Sequence, residues 1–298
     1  MKCFICPRKC GVDRKIEAGF CGCTDTIHIC RAAPHFWEEP CLSGKNGSGT
    51  IFSAGCQLHC IYCQNHKISN GIVTENILQE SNSKKKLLEI FFGLKSKGVH
   101  NINLVTPDMY IYKLIPIIKK AKSEGLNLPF VMNCSGYENA EMIKSLEGII
   151  DIYLPDFKYM SPLLANKYSL AKDYPDVAKY AIDLMVSQQP ECVFDSDGIL
   201  QQGVIVRHMI LPGNIHDSKK IISYLHEKFG NKIYISIMNQ YTPVKTHKYK
   251  ELNRKVSEEE YEEIISFALN LGIENSYIQE GEAADESFIP DFSEKSII

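Results

Sequence analysis

From Gly49 onward, short apolar runs alternate with longer amphipathic ones, and this alternation leaves the chain few folds to choose from. The runs Thr50–Ala54, Asn101–Val105, Pro129–Asn133, Ile150–Leu154, Val204–Ile210 and Lys232–Ile237 are too short for helices. They are rich in Ile, Val or Phe and bounded by Gly, Pro or Asn, so each is an expected strand. Between and after them, Ser83–Lys97, Met109–Glu124, Glu138–Leu146, Asp176–Gln188, Ser218–Phe229 and Ser257–Leu271 are expected helices. In Ser83–Lys97 an apolar stripe through Leu87, Leu88, Phe91 and Phe92, continued by Lys95, lies beside a lysine face. Six βα units in succession predict an α/β fold around a parallel sheet, doubly wound or curled into a full or partial barrel. A short strand near Tyr277–Glu280 is expected to end the row. In such folds the chemistry gathers at the carboxyl ends of the strands.

With 298 residues, 44% hydrophobic and 23% charged, the chain can bury a core without cross-links. Its 33 basic and 36 acidic side chains leave a formal charge of −3, so no overall basic field exists for a nucleic acid or an anionic membrane. Neither is an expected partner. No stretch approaches the roughly 18 consecutive apolar residues of a membrane span. The opening Met1-Lys2-Cys3-Phe4-Ile5-Cys6 lacks the apolar core and cleavage site of a signal peptide, and a reducing, cytoplasmic setting is expected. Clustered thiols in that setting point to metal.

Ten of the 12 cysteines lie in the first 63 residues. Directly after the first expected strand comes Gly55-Cys56-Gln57-Leu58-His59-Cys60-Ile61-Tyr62-Cys63-Gln64-Asn65, a C-x3-C-x2-C pattern. Three thiolates in so short a loop can wrap one cubic cluster and leave one iron without a protein ligand, whereas ferredoxin-type sites use four cysteines. The open position is what a metal site needs to bind a substrate or cofactor. A three-cysteine zinc site and a chance cluster of buried thiols are the other readings of the same residues.

Cys56-x3-Cys60-x2-Cys63 after a first strand resembles the radical S-adenosylmethionine (SAM) superfamily, with the aromatic Tyr62 before the last cysteine. The run Phe52-Ser53-Ala54-Gly55-Cys56 through Cys63-Gln64-Asn65 also resembles the signature of glycyl-radical-enzyme activases. Gly47-Ser48-Gly49-Thr50-Ile51-Phe52 departs from the upstream half of that signature in spacing and lacks its basic residue. A wider similarity is to the pyruvate formate-lyase-activating-enzyme-like subgroup. It runs through Cys6–Arg14, His35–Cys41, Asn101–Pro107, Asp151–Lys158, Val206–Gly213, Tyr234–Pro243 and Gln279–Asp291.

The resemblance implies a partial or complete (β/α) barrel of about six parallel strands over residues 49–285. A cysteine-rich metal-binding segment, 1–48, would precede it and a C-terminal tail, 286–298, follow. It implies a [4Fe–4S] cluster on Cys56, Cys60 and Cys63 whose open iron is chelated by SAM. One electron then yields methionine and a 5′-deoxyadenosyl radical. The implied SAM contacts are the Tyr62 backbone at the adenine, Asn133 and Ser135 in a small polar turn, and Asp156 and Lys158 at the ribose and carboxylate. Arg207 is implied at the methionine carboxylate, and Met238 and Asn239 near the adenine. Many superfamily members end the second strand in a Gly-Gly-Glu-like run that holds the SAM amino group; here stands Val105-Thr106-Pro107-Asp108.

Cys3-x2-Cys6-x3-Cys10-x10-Cys21 offers four further ligands, with Cys23, Cys30 and Cys41 available as replacements, suited to structural zinc, to an auxiliary iron–sulfur cluster, or to no metal at all. Cys134 and Cys192 read as small buried hydrophobes. His35–Pro40, with the only tryptophan, reads as packing between segment and barrel rather than as an active-site lip. His208 should face away from Arg207, into the core. Lys84–Lys86 reads as a solvated helix face, and Lys245–Lys255 is one local basic patch. No phosphate-binding loop, G-x-S-x-G or dinucleotide fingerprint is present. The expected function is therefore a radical SAM oxidoreductase that activates a glycyl-radical enzyme or modifies a protein, fed by flavodoxin or ferredoxin. A radical SAM enzyme acting on a small molecule, peptide or RNA is the second reading. A non-catalytic iron–sulfur electron carrier or sensor is the third.

Overall fold

A computed structural model describes residues 2–71, 83–279 and 292. Seven strands run parallel in one row: β2 (Ser48–Ser53), β3 (Ile102–Val105), β4 (Phe130–Cys134), β5 (Ile152–Pro155), β7 (Leu200–Met209), β8 (Tyr234–Met238) and β9 (Ser276–Ile278). Six are the expected strands, and β9 stands where the closing strand was expected. β1 (Ile29–His35) pairs antiparallel with β2 at one edge, and the two-residue β6 (Val193–Phe194) forms a hairpin with β7. The row runs from β1 to β9 without closing, so the sheet is a partial barrel.

The helices cover the outer face: α3 (Ser83–Ser96), α4 (Ile111–Ser123), α5 (Ala140–Lys144), α6 (Pro162–Ser169), α7 (Tyr174–Gln188), α8 (Ile215–Phe229) and α9 (Glu258–Asn270). Short helices α1 (Pro40–Ser43) and α2 (His66–Ser69) precede them. The α9 start carries a capping box, with Ser257 accepting from Glu260 N and Glu260 bonded back to Ser257 N. On α3 the buried stripe is Leu87, Ile90, Phe91 and Leu94, not the one through Leu88 and Phe92. That spacing of i, i+3, i+4, i+7 follows 3.6 residues per turn, and Phe91 meets Phe130 of β4 edge-on at 5.3 Å. No helix among the described residues is long and apolar enough to cross a membrane. The expected tail, 286–298, lies outside the described residues apart from Phe292.

Strand alternation sorts the two faces of the sheet. Phe130, Met132, Tyr153, Val204 and Val206 pack outward into the main core beneath the helices. On the other face, Val131, Ile152, Leu154, Leu200 and Ile205 form a smaller core with Cys41 and Leu42 of α1. The next residues along that face are polar: Asn133 after Val131, Asp156 after Leu154, Arg207 after Ile205. The inner face is thus apolar at the amino ends of the strands, plugged by α1, and polar at their carboxyl ends.

Candidate active site at the carboxyl ends of the strands

The loop after β2 carries the three cysteines, and its backbone is held in an unusual path. Gly55 has φ +83°, and a Cβ there would lie 2.1 Å from Cys23 Sγ and 2.6 Å from the Cys21 carbonyl. Only glycine allows that approach. His59 also adopts a left-handed φ, of +52°. Cys56, Cys60 and Cys63 line one cleft. Leu58 N donates to Cys56 Sγ at 3.3 Å, a contact that favours its thiolate over the thiol, and the Ser169 hydroxyl donates to Cys60 Sγ at 3.1 Å. Burial pushes the free thiols of Cys56 and Cys63 up, and the neighbouring cysteines push them further. Binding iron there displaces protons.

Lining the same cleft is a chain of alternating charges. Arg207 donates Nε to Asp156 Oδ1 at 2.9 Å, Nη2 to Asn133 Oδ1 at 2.6 Å and Nη1 to Glu38 Oε2 at 3.2 Å. Lys158 Nζ takes the other oxygen of Asp156 at 2.5 Å. Burial alone would raise the Asp156 carboxyl, but Arg207 and Lys158 outweigh it and hold it below the usual carboxylate range. Glu38 goes the other way: its burial outweighs Arg207 and raises it. Register explains the meeting, because β5 and β7 run side by side and Asp156 stands opposite Arg207.

The cleft brings together Tyr62, Asn133, Ser135, Asp156, Lys158, Arg207 and Met238 with the three cysteines. Tyr62 is buried, its hydroxyl accepting from Tyr159 at 2.7 Å and its ring edge-on to Tyr159, Tyr168 and Tyr241. Asn239 is not on the lining. Its N–H donates to Gln279 Oε1 at 2.8 Å, and the following Gln240 reaches the cleft instead, its carbonyl taking Gln64 Nε2 at 2.7 Å. Thr106 lines the cleft with φ +50°, a strained state for a β-branched residue, at the end of β3. Cys3, Cys6, Cys10 and Cys21 line a second, separate recess.

Glu38 is the residue that sequence reasoning assigned to packing. It and Trp37 line the cleft, so the His35–Pro40 run does form part of its lip. The usable signal was a carboxylate beside the lone tryptophan, just before the Pro40 that starts α1. His208 is the core histidine expected, with Nδ1 bonded to the Phe157 carbonyl and Nε2 to the Ser218 hydroxyl, both at 2.8 Å.

Residues 50–225, more than half of the chain, match the radical SAM superfamily. The chain belongs to the radical SAM superfamily. Membership implies a [4Fe–4S] cluster and SAM, and the donor set fits both. Three thiols with donors on two of their sulfurs open onto a cleft whose lining also pairs a carboxylate with cations, as a zwitterionic ligand requires. Among relatives, an uncharacterized protein of Methanocaldococcus jannaschii is 28% identical over 281 residues, covering 92% of this chain and 76% of that protein. A Haemophilus influenzae protein named for glycyl-radical enzyme activation is 28% identical over 123 residues, 39% of this chain and 43% of that protein. The solved FeFe-hydrogenase maturase HydG from Carboxydothermus hydrogenoformans covers 78% of this chain and 53% of its own at 15% identity, with a TM-score of 0.51. That likeness concerns the superfamily fold alone.

Proposed function

We propose that Cys56, Cys60 and Cys63 ligate the [4Fe–4S] cluster and that the adjoining cleft binds SAM against it. When bound, the pair supplies a 5′-deoxyadenosyl radical that takes a hydrogen atom from the substrate. The chain's own residues position the reactants and exclude water. Asp156 and Lys158 address the ribose and carboxylate of SAM. Arg207, steadied by Asp156, Asn133 and Glu38, presents its guanidinium to the methionine carboxylate. Ser135 and the Tyr62 backbone border the nucleoside together with Met238 and Gln240, which takes the place on the lining that Asn239 was expected to hold. The carrying observation is the single cleft, at the strand carboxyl ends, that joins the three thiols to the Asp156–Lys158–Arg207 chain.

For the substrate we assign a polypeptide glycine of a glycyl-radical enzyme. The Haemophilus influenzae similarity supports this. So does the rim, where Phe36 and the cleft-lining Trp37 are 54% and 56% exposed, an apolar lip suited to a peptide segment. A low-potential one-electron carrier of the flavodoxin or ferredoxin class completes the system in a cytoplasmic, reducing setting.

Anaerobically reconstituted protein with dithionite should convert SAM to 5′-deoxyadenosine and methionine, and Cys56→Ala should abolish this. Turnover undiminished in Cys56→Ala, or none in the wild type at full iron loading, overturns the reading. Co-expression with a glycyl-radical enzyme should produce a glycyl-radical resonance. Deuterium taken up by 5′-deoxyadenosine from a small metabolite, with no such resonance, overturns the substrate assignment.

A further inference from the structure

The N-terminal recess carries a second inference. A bridge between Lys2 and Asp13, with Cys3 N donating to the Val12 carbonyl at 2.8 Å and Gly11 N to the Cys3 carbonyl at 3.0 Å, folds the segment into a tight knuckle. The turn at Cys6 closes through Lys9 N to the Cys6 carbonyl at 3.1 Å. Cys3, Cys6, Cys10 and Cys21 thereby line one space, whose other walls include apolar Ile5, Phe20 and Met109. A Cβ on Gly19 would come within 3.3 Å of Cys10 Sγ and 3.6 Å of Cys21 Sγ, so two of these thiols converge over its bare Cα. Cys23 stays outside, its Sγ directed to the Ala54 carbonyl at 3.1 Å.

The knuckle is seated directly on the catalytic loop. Cys56 N donates to the Cys21 carbonyl at 3.3 Å, joining the backbones of one cysteine from each set. His59 Nε2 is bonded to the Phe20 carbonyl at 2.8 Å. Arg8, inside the Cys6–Cys10 turn, donates to the carbonyls of Gln57 at 2.8 Å and Leu58 at 3.3 Å.

We infer that Cys3, Cys6, Cys10 and Cys21 are the four ligands of a closed [4Fe–4S] cluster that relays electrons to the Cys56–Cys60–Cys63 site. Two observations favour a cluster over a zinc staple. The segment is already tied down by Arg14, buried and donating to Cys23, Thr24 and Met109 carbonyls at 3.2, 2.5 and 2.6 Å, so folding does not call for an ion. The recess also lies in backbone contact with a redox loop, where a redox-inert ion has no use. With four protein ligands the cluster has no open iron, so it carries electrons and binds no SAM. In the relay, a reduced one-electron carrier of flavodoxin or ferredoxin class is oxidised as the closed cluster gains one electron. That electron would then be available at the Cys56–Cys60–Cys63 site for the SAM cleavage of the proposed function. The same segment exposes Lys2, Lys9 and Lys15 as well as Phe4, basic and apolar groups suited to an acidic carrier.

The relay rests on the proposed function, as does the second argument for a cluster over zinc, whereas the metal content of the triple variant does not, and the tests separate the two. Protein with Cys56, Cys60 and Cys63 all changed to Ala, reconstituted anaerobically with iron, sulfide and zinc together, should hold about four iron and four sulfide per chain. Dithionite should give it an S = 1/2 resonance. Adding Cys6→Ser should remove most of that iron at unchanged circular dichroism, whereas adding Cys23→Ser should not. One zinc without iron, no bound metal, or iron lost only with Cys23→Ser overturns the assignment. In protein with all cysteines present, the doubly reduced spectrum should depart from the sum of the two single-cluster spectra through spin coupling. A simple sum overturns the relay. If SAM cleavage fails while the triple variant keeps its iron, the proposed function falls and this site stands.

Discussion

Glu38 accepts a hydrogen bond from Arg207 at 3.2 Å, although 169 positions separate them in the chain. The same carboxylate takes Nδ2 of Asn103 at 3.2 Å and of Asn133 at 3.3 Å, so it ties β3, β4 and β7 together at the mouth of the barrel. An acidic side chain from the cysteine-rich segment therefore sets where the cleft's arginine points.

Glu38→Ala should release that guanidinium and leave a partly buried cation with one carboxylate fewer. Removing a partner from a buried pair typically costs about 3 kcal/mol. Here Asp156 remains on Arg207, so a loss of roughly 1–2 kcal/mol is expected in urea unfolding. SAM affinity by equilibrium dialysis should weaken by at least about tenfold, one such unit being about 1.4 kcal/mol. Glu38→Gln should lose less of both. Unchanged affinity in the alanine variant would show that Glu38 does not position Arg207.

Acid should destabilise the fold through His208. Burial holds this imidazole neutral and pulls it down to about 4, against about 6.5 in the unfolded chain. The unfolded state thus binds the proton more readily. The stabilisation is fully present above pH 6.5 and is lost as pH falls from 6.5 towards 4, amounting to roughly 3 kcal/mol. Urea midpoints at pH 7, 5.5 and 4.5 should fall along that slope. His208→Gln should start lower at pH 7 and fall less steeply, and parallel slopes for the two proteins would contradict the assignment.

Gly55→Ala should disturb the cluster loop from beneath. The added carbon meets both a thiol and a backbone carbonyl, and the residue sits at φ +83°. Strain of this kind costs on the order of 1–3 kcal/mol. Iron bound at the loop should drop below half of the wild-type content. Combining Gly55→Ala with Cys23→Ala should restore only part of it, because the Cys21 carbonyl remains at 2.6 Å; complete recovery would mean the thiol alone was the obstacle.

Ser169→Ala removes the hydroxyl that donates to Cys60 Sγ at 3.1 Å. Hydrogen bonds to cluster sulfurs stabilise the more negative, reduced state. A bond worth about 1 kcal/mol corresponds to roughly 40 mV for one electron. The midpoint potential of the Cys56–Cys60–Cys63 cluster should therefore move down by about that much in a redox titration followed by paramagnetic resonance. No shift, or a rise, would exclude this bond as a tuning contact.

Much of the architecture was written locally. Short apolar runs marked all six internal parallel strands, and β9 as the last of the row, because a buried parallel strand needs a compact apolar run whatever surrounds it. The α3 stripe was placed on the wrong neighbours of Leu87, since a helix flanked by apolar residues on two sides offers more than one face and packing chooses between them. α6 was passed over although Ser161-Pro162 is a start signal, with Ser161 accepting from Leu164 N. β1 was hidden by Arg31 and Pro34, residues tolerated at a sheet edge and uninformative without the partner strand.

The cysteine spacing of Cys56, Cys60 and Cys63 was sufficient to point to the radical SAM superfamily, which the match over residues 50–225 bears out, because a short motif of this kind is legible without help from the rest of the chain. The residues that line the cleft with them are another matter. That Asp156 stands between Lys158 and Arg207 depends on β5 lying beside β7, that Gln240 rather than Asn239 lines the cleft depends on how the chain leaves β8, and that Glu38 reaches Arg207 depends on the path of the chain into α1. The seating of Cys21 against Cys56 belongs with these. Each is a contact between segments far apart in the chain, and such contacts arise from register and chain crossing, which no local pattern of residues encodes.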